Sequence, residues 1–500
     1  MVRPNRKTIS RFGDRLDWVR TNLVAGGPVK HPAEIQNDRD LRLAVSKFLE
    51  KTSPHNNFSD KTWARWRKDG NVSEAALATI RAMYPVTIAD GLDLFACEWE
   101  SFEKATGQAS VAQTRWLAAT EHFRKSRGQV ERFGKAVYEC VDQLGAQLPL
   151  IGLRAWLPPA ALPLERGENT SWLRWAADHS EIGRRSISLP GLWPPYHLLK
   201  FSALRRTKEP PFNGECYLIS ELGQNGQQWE FKLRRGRYFD YIDTCEAHAA
   251  LLSDLINHGA EHNAVAVDRA LEEVGWTRNS VLDWRSRTTF AGVNCLLITT
   301  NYHETDPSRG KTRFWLHRRS TTTIEAQGVW HVAPAGGHQP LSKGHANPEE
   351  MGFWYTAARE LLEEIFGRND LAVHGRDTDD PFKREQKTNA IFRSVIESGA
   401  AKFYYLGIGL DPATTKPEVL CAIVLDWGIA EKSYYIKNNT HLRKEMTDHW
   451  EGDLQPFAFS LERMRAMAEV PHPGETMLPA GAACLLLTAS HIENGSISLY

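Results

Sequence analysis

The chain has 500 residues, of which 42% are hydrophobic and 24% are charged, and its 61 Lys and Arg balance its 61 Asp and Glu. This length exceeds what one hydrophobic core usually serves, so roughly two to four domains are expected. The composition excludes a largely disordered protein. The balanced charge excludes a global attraction to nucleic acid or to an anionic membrane, although a local basic patch stays open.

The seven cysteines are scattered, and no two of them have the CxxC spacing of a zinc site or a redox motif. Such a set predicts reduced thiols, as in a cytoplasm. No apolar segment follows the basic start of the sequence, so no secretion signal is expected. The longest apolar runs are far too short to cross a bilayer. We therefore expect a cytoplasmic protein without a membrane partner.

Residues 1–100 are predicted to form a helical domain, because apolar residues recur at helical spacing along 40–51 and 73–84. The short basic segment 59–70 lies between these stretches and resembles the recognition helix of a helix-turn-helix unit. DNA recognition needs cations on one exposed face of that helix. The segment supplies them at i, i+4 and i+7: Lys61, Arg65 and Lys68. The alternative, a solvated face on a helical bundle that binds a protein partner, stays open.

Residues 101–185 are predicted to be helical at first and then to form a proline-rich linker, since proline removes a backbone donor and fixes φ. Residues 186–285 are predicted to form a small α+β domain. Its expected elements are paired strands over 215–222 and 229–233 and a helix over 244–257.

From residue 286 to 500 the apolar pattern is typical of strands interrupted by one amphipathic helix, which is predicted over 349–366. The predicted strands cover 292–299, 313–319, 403–409, 418–426 and 481–488. Strands around one central helix indicate a mixed α/β domain. The predicted fold class is therefore α+β, with a helical N-terminal region followed by this mixed-sheet domain.

The predicted helix has three carboxylates on one stripe, at i, i+3 and i+4: Glu360, Glu363 and Glu364. The opposite stripe is apolar and is expected to pack on the sheet. Like charges at these spacings destabilise an isolated helix, and a divalent cation would offset that repulsion because Mg²⁺ prefers oxygen ligands. A solvated acidic face is the alternative.

The segment 359–364, Arg-Glu-Leu-Leu-Glu-Glu, resembles the second half of the Nudix box, and the Pro-Ala-Gly-Gly of 334–337 resembles the turn that opens this box. The strand residues 316–319 look like the third strand of the family. With segment 238–246, the chain is similar to a divergent bacterial subgroup that joins a regulator-like N-terminal region to a Nudix domain. The resemblance covers roughly residues 288–500 and implies an α/β/α domain with a mixed sheet.

The resemblance implies a role for each matching residue of the box. Glu363 and Glu364 match the metal ligands, which would bind Mg²⁺ or Mn²⁺. Glu360 matches a general base or a support of the metal site, and Arg359 matches the arginine that orients the carboxylates. Gly337 matches a glycine whose carbonyl can reach the metal.

The box departs from the family eight residues before its arginine, where a glutamate is usual and this chain has Met351. Glu350, one position away, or Glu418, which follows Gly409, is the expected substitute. Contacts to substrate are expected from two strand arginines, a histidine and a glutamate: Arg318, Arg319, His338 and Glu418.

The function expected from these features is Mg²⁺-dependent hydrolysis of a nucleoside diphosphate-linked substrate, a nucleotide or dinucleotide, in bacterial signalling or defence. The alternative is a nucleotide-sensing regulator. In that case the Nudix-like domain binds its ligand without cleaving it, and the N-terminal helices bind DNA or a protein partner.

Overall fold

The structure is a computed structural model. It describes residues 6–8, 15, 64, 67, 71–73, 77, 80, 99–167, 172–178, 187–192, 196–203, 213–225, 228–285, 287–303, 310–320, 326, 328–340, 351–367, 389–438, 442, 452–470 and 475–499. The helix-turn-helix prediction, with Lys61, Arg65 and Lys68, lies outside the described residues, and so does Glu350.

The chain divides into two compact units, one formed by residues 1–120 and 188–211 and the other by 121–187 and 212–500. In the first unit, strands β1 (Arg6–Thr8) and β2 (Asn71–Ser73) pair antiparallel. The indole of Trp116 donates a hydrogen bond to the Pro190 carbonyl over 3.1 Å. This bond joins the two stretches of chain that make up the first unit.

The second unit contains an eight-stranded mixed sheet and a separate three-stranded sheet. Its strands in chain order are β3 (Leu162–Leu164), β4 (Leu173–Ala177), β5 (Glu215–Asn225), β6 (Gln228–Arg237), β7 (Gly292–Tyr302), β8 (Lys311–Arg319), β9 (Trp330–Val332), β10 (Ala335–Gly337), β11 (Ala401–Leu410), β12 (Pro417–Asp426) and β13 (Gly452–Ala458). The large sheet has the order β13-β8-β7-β12-β11-β3, with β9 paired to β8 and β10 paired to β7. The small sheet has the order β4-β6-β5.

The centre of the large sheet is the parallel pair β7 and β12, in which Gly292 lies opposite Glu418 and Asn294 lies opposite Leu420. Both strands are buried on both faces. A strand with two covered faces needs apolar side chains at successive positions, which explains their nearly continuous apolar runs. The predicted strands over 292–299, 403–409 and 418–426 are confirmed as parts of β7, β11 and β12.

The helices in chain order are α1 (Trp99–Lys125), α2 (Arg127–Val137), α3 (Tyr196–Ala203), α4 (238–257), α5 (Ala264–Glu273), α6 (353–365), α7 (390–397), α8 (Trp427–Asn438), α9 (Leu461–Glu469) and α10 (Pro479–Glu493). Helices α4, α6 and α7 each contain one wider, π-type turn. Helix α10 shares a core with Leu296, Ile298 and Leu420 on one face of the sheet. Helix α6 contacts β7 and β10. Helices and mixed sheets confirm the α+β class.

Residues 481–488 were expected to form a strand and instead lie within helix α10, so this prediction is wrong. An apolar run of that length fits a buried strand and a buried helix equally well by periodicity. Pro479 at the first helical turn is the local signal for a helix, because its fixed φ suits that position. Among the described residues, no helix combines the length and the hydropathy needed to cross a bilayer.

Candidate functional site

Helix α6 packs along the edge of β10 that does not pair with β7. The Ala335 amide donates a hydrogen bond to Glu364 Oε2 over 2.9 Å, and Arg359 Nη2 donates to the Gly337 carbonyl over 3.0 Å. Buried backbone groups at a strand edge need partners. Two charged side chains of α6 therefore satisfy two backbone groups of β10, the Ala335 amide and the Gly337 carbonyl.

Glu360 packs directly on the backbone of the glycine turn. A Cβ atom added to Gly336 would lie no farther than 2.6 Å from any atom of the Glu360 carboxyl group. A real Cβ cannot approach so closely, so the carboxylate occupies the space that a side chain at position 336 would fill. Glycine therefore leaves room for the Glu360 carboxylate, which a side chain at position 336 would have to displace.

Arg359 connects the carboxylates of α6. Its guanidinium lies 2.6 Å from Glu360 Oε1 and 3.1 Å from Glu363 Oε2. Burial lowers the pKa of Arg359, but the charges of Glu360 and Glu363 outweigh burial and raise that pKa above its ordinary value. The guanidinium is therefore charged at every physiological pH, and it holds two of the three acidic side chains of the helix.

The structure thus brings Arg359, Glu360, Glu363 and Glu364 to the turn that contains Gly337. Arg359, Glu360 and Glu364 are only 7–9% exposed. They are not a solvated acidic face. What the structure supplies is a buried arrangement of charges between one helix and one strand edge.

Glu418 lies on the other face of the sheet. A Cβ atom on its strand partner Gly292 would meet the Glu418 carboxylate, while Glu360 lies over Gly336, the partner of Val293. Successive residues of a strand point to opposite faces. The structure therefore does not bring Glu418 together with the carboxylates of α6.

Glu418 belongs to a buried polar chain on the α10 face. Asn294 Nδ2 donates to Glu418 Oε2 over 2.8 Å, and Asn294 Oδ1 lies 2.9 Å from His331 Nε2. Since that amide oxygen can only accept, His331 donates from Nε2. Burial, and after it the neighbouring His317, lower the pKa of His331 well below its ordinary value, so the ring is neutral. The signal in the sequence for these hydrogen-bonded side chains was Asn294, a polar residue within an apolar strand.

His338 is fully buried and hydrogen-bonded at both ring nitrogens. Nδ1 lies 2.8 Å from Thr356 Oγ1, and Nε2 lies 3.1 Å from the Met351 carbonyl oxygen. Burial lowers the pKa of His338 to about 3. The ring therefore connects β10 to the start of α6 and has no nitrogen left for a ligand.

The two arginines expected to contact substrate lie at the end of β8. Arg318 is largely exposed and forms an ion pair with Glu475 over 3.0 Å. Arg319 is half-buried and lies opposite Gly452 of β13. An exposed ion pair has little effect on stability. The structure therefore places Arg318 at the surface with Glu475 and the Gly328 carbonyl as its partners.

The oxygen donors at α6 are of the kind that Mg²⁺ and Mn²⁺ prefer. Each, however, already has a partner in the protein itself: Glu360 is ion-paired with Arg359, Glu363 and the Gly337 carbonyl accept hydrogen bonds from Arg359, and Glu364 accepts from a backbone amide. In the part of the chain that the structure describes, no group of three or more His, Cys, Asp or Glu side chains is arranged to hold a metal ion. As placed, these residues do not fit a bound divalent cation.

Comparison with known proteins found no match for this sequence, either among protein-family models or among curated proteins. The expectation of a Nudix-like domain thus rests on the residues of 334–337 and 359–364, which the hydrogen bonds between α6 and β10 bring into contact.

Proposed function

We propose that the second unit binds a nucleoside diphosphate-linked ligand, a nucleotide or dinucleotide, and senses it without cleaving it. The ligand class comes from the resemblance of 334–337 and 359–364 to the Nudix box. The contacts between the glycine turn and α6 support it, because segments 334–337 and 359–364 contact each other, as two halves of one site would.

The observation that favours sensing over hydrolysis is the environment of Met351. This residue stands where the family has a glutamate, its side chain is only 3% exposed, and its carbonyl accepts a hydrogen bond from His338. A thioether buried at that position cannot supply a carboxylate. Hydrolysis of a diphosphate needs an activated water, which in this chemistry depends on anionic oxygens around a metal.

The output of the sensor is proposed to be the predicted N-terminal helix-turn-helix segment, which would bind DNA through Lys61, Arg65 and Lys68. Cations that neutralise phosphates release counterions, so replacing the three with Ala should weaken duplex binding and flatten its salt dependence. Full-length protein and the triple variant are to be compared by fluorescence anisotropy at several salt concentrations. If wild-type protein has no measurable affinity for duplex DNA at low salt, these helices bind a protein partner instead.

The second candidate is a Mg²⁺-dependent hydrolase of the same class of substrates. The observation in its favour is that Glu360, Glu363 and Glu364 meet at the glycine turn. Like charges at these spacings oppose helix formation, so three acidic side chains on one helix are more easily explained by a bound cation than by packing against a strand edge.

One experiment separates the two candidates. ADP-ribose, a dinucleoside polyphosphate and NADH are each offered to the full chain with Mg²⁺ or Mn²⁺, and phosphate-containing products are measured. Binding of the same compounds is measured by calorimetry in EDTA. A sensor binds at least one of them in EDTA and turns over none.

The variants for this experiment are E363Q/E364Q and the matched control E272Q/E273Q, which alters two adjacent, exposed glutamates of α5. For a sensor, wild type and both variants are equally inactive. Turnover by wild type that is lost in E363Q/E364Q and kept in E272Q/E273Q would establish the hydrolase and refute the proposed function.

A further inference from the structure

The guanidinium of Arg359 contacts three oxygen atoms from two elements. These are Oε1 of Glu360 at 2.6 Å, Oε2 of Glu363 at 3.1 Å and the carbonyl oxygen of Gly337 at 3.0 Å. Two carboxylates and one carbonyl are a set of hard oxygen donors that a divalent cation also takes. A planar guanidinium with several fixed N–H groups can satisfy such a set as well.

We propose that Arg359 is a built-in cation that occupies the position a divalent ion would take at this turn, so that the site works without metal. The inference deepens the proposed function and rests on it for the identity of the site. It assigns to Arg359 a role opposite to that of an arginine that prepares carboxylates for a metal.

Two features of the site support this role. The charge is permanent, because an arginine guanidinium does not lose its proton in proteins. In addition, Met351, which precedes α6, stands where a glutamate is usual in the family and offers no carboxylate to Arg359. The guanidinium therefore pairs with Glu360 and Glu363, the acids of its own helix.

A divalent cation that approached the turn would meet a buried positive charge, and two of the oxygens there, Glu363 Oε2 and the Gly337 carbonyl, already accept hydrogen bonds from that charge. Both effects weaken metal binding, because like charges repel strongly at short distance in a low-dielectric site. Removing the charge while keeping an amide at position 359 should therefore open the site to metal.

The test is titration of the full chain with Mn²⁺ alone, followed by electron paramagnetic resonance of free Mn²⁺. R359Q removes the charge, R359K keeps it, and R359Q/E363Q removes one of the oxygens that would bind the metal. R127Q is the matched control, since Arg127 is also mostly buried between two acids, Glu131 at 2.6 Å and Asp411 at 3.2 Å. Circular dichroism checks that each variant is folded.

We expect R359Q to gain one Mn²⁺ site at least about tenfold tighter than any in wild type, with the gain lost in R359Q/E363Q. R359K and R127Q should behave as wild type. A stoichiometric Mn²⁺ site in wild type that R359Q weakens would overturn the proposal, and so would a folded R359Q without tighter binding. If R127Q gains as much Mn²⁺ affinity as R359Q, then any acid pair that loses its arginine binds the ion, and the proposal also fails.

This titration contains no nucleotide, so its outcome does not depend on whether the ligand class has been assigned correctly. Failure of the proposed function would appear as absence of nucleotide binding with the Mn²⁺ result unchanged. Failure of the built-in cation would appear in the Mn²⁺ titration even if nucleotides bind.

Discussion

Replacing Gly336 with Ala tests the close approach between β10 and α6. The new methyl group would lie no farther than 2.6 Å from every atom of the Glu360 carboxyl group, whereas ordinary contact begins at 3.4 Å. The carboxyl group must therefore move by at least about 0.8 Å. Its 2.6 Å ion pair with Arg359 would then be distorted and weakened.

The expected cost has two parts. Overpacking of a buried site costs about 1–3 kcal/mol, and weakening a buried ion pair adds to that cost. Arg359 keeps Glu363 and the Gly337 carbonyl as partners, so the pair is not fully lost. We expect G336A to lower the free energy of unfolding by about 2–3 kcal/mol.

The assay is urea unfolding of the full chain, monitored by tryptophan fluorescence, with G223A as the matched control. Gly223 also lies in a strand, and a Cβ atom there would meet nothing within 4 Å. G223A should change the free energy of unfolding by no more than about 0.5 kcal/mol. In an E360A background the methyl group of G336A has room, so its cost should fall by about 1 kcal/mol or more. Equal effects of G336A with and without the Glu360 side chain would refute the argument.

Two further predictions concern stability elsewhere in the second unit. Burial lowers the pKa of His248 to about 4. The unfolded chain therefore takes up this proton first as the pH falls below about 6.5, and His248 alone should account for a loss of about 2 kcal/mol of stability between pH 7 and pH 5, beside the losses from the buried His331 and His338. Urea unfolding at the two pH values should show a smaller loss in H248Q, and an equal loss would contradict the assignment. Asn389 caps α7 with two hydrogen bonds from a buried position, whereas the Ser460 cap of α9 makes one near the surface. N389A should therefore lower the free energy of unfolding by about 2 kcal/mol and S460A by about 1 kcal/mol. If S460A proved the more destabilising variant in thermal unfolding, burial would not determine how much these caps contribute.

The strands and helix α6 could be predicted because their signals in the sequence are local. The apolar runs of β7 and β12 and the hairpin of β5 and β6 follow from side-chain pattern and turn residues. The two-stripe pattern of 349–366 likewise predicts a helix, observed as α6 over 353–365, although the acidic stripe is buried along with the apolar one.

The remaining features depend on contacts between distant parts of the chain. Local pattern does not tell which face of the sheet a strand residue takes, so it could not separate Glu418 from Glu360. Nor could it show that His338 is buried between β10 and α6, or that β3 pairs with β11. The prediction of a strand over 481–488 was wrong for a related reason. Most residues of this helix are buried and apolar, so the sequence lacks the alternation of polar and apolar faces that marks a surface helix.

The position of α10 affects the order in which this protein can be made. Leu296 and Leu420, on neighbouring central strands, share their core with Ala483 and Leu485 of α10. During synthesis β7 emerges long before either its parallel partner or the helix that covers it. One face of the sheet therefore stays open to water and to other nascent chains until residues 479–493 have left the ribosome. Folding of the second unit is for that reason a late event, and chaperones that bind apolar strands would act on it in the interval.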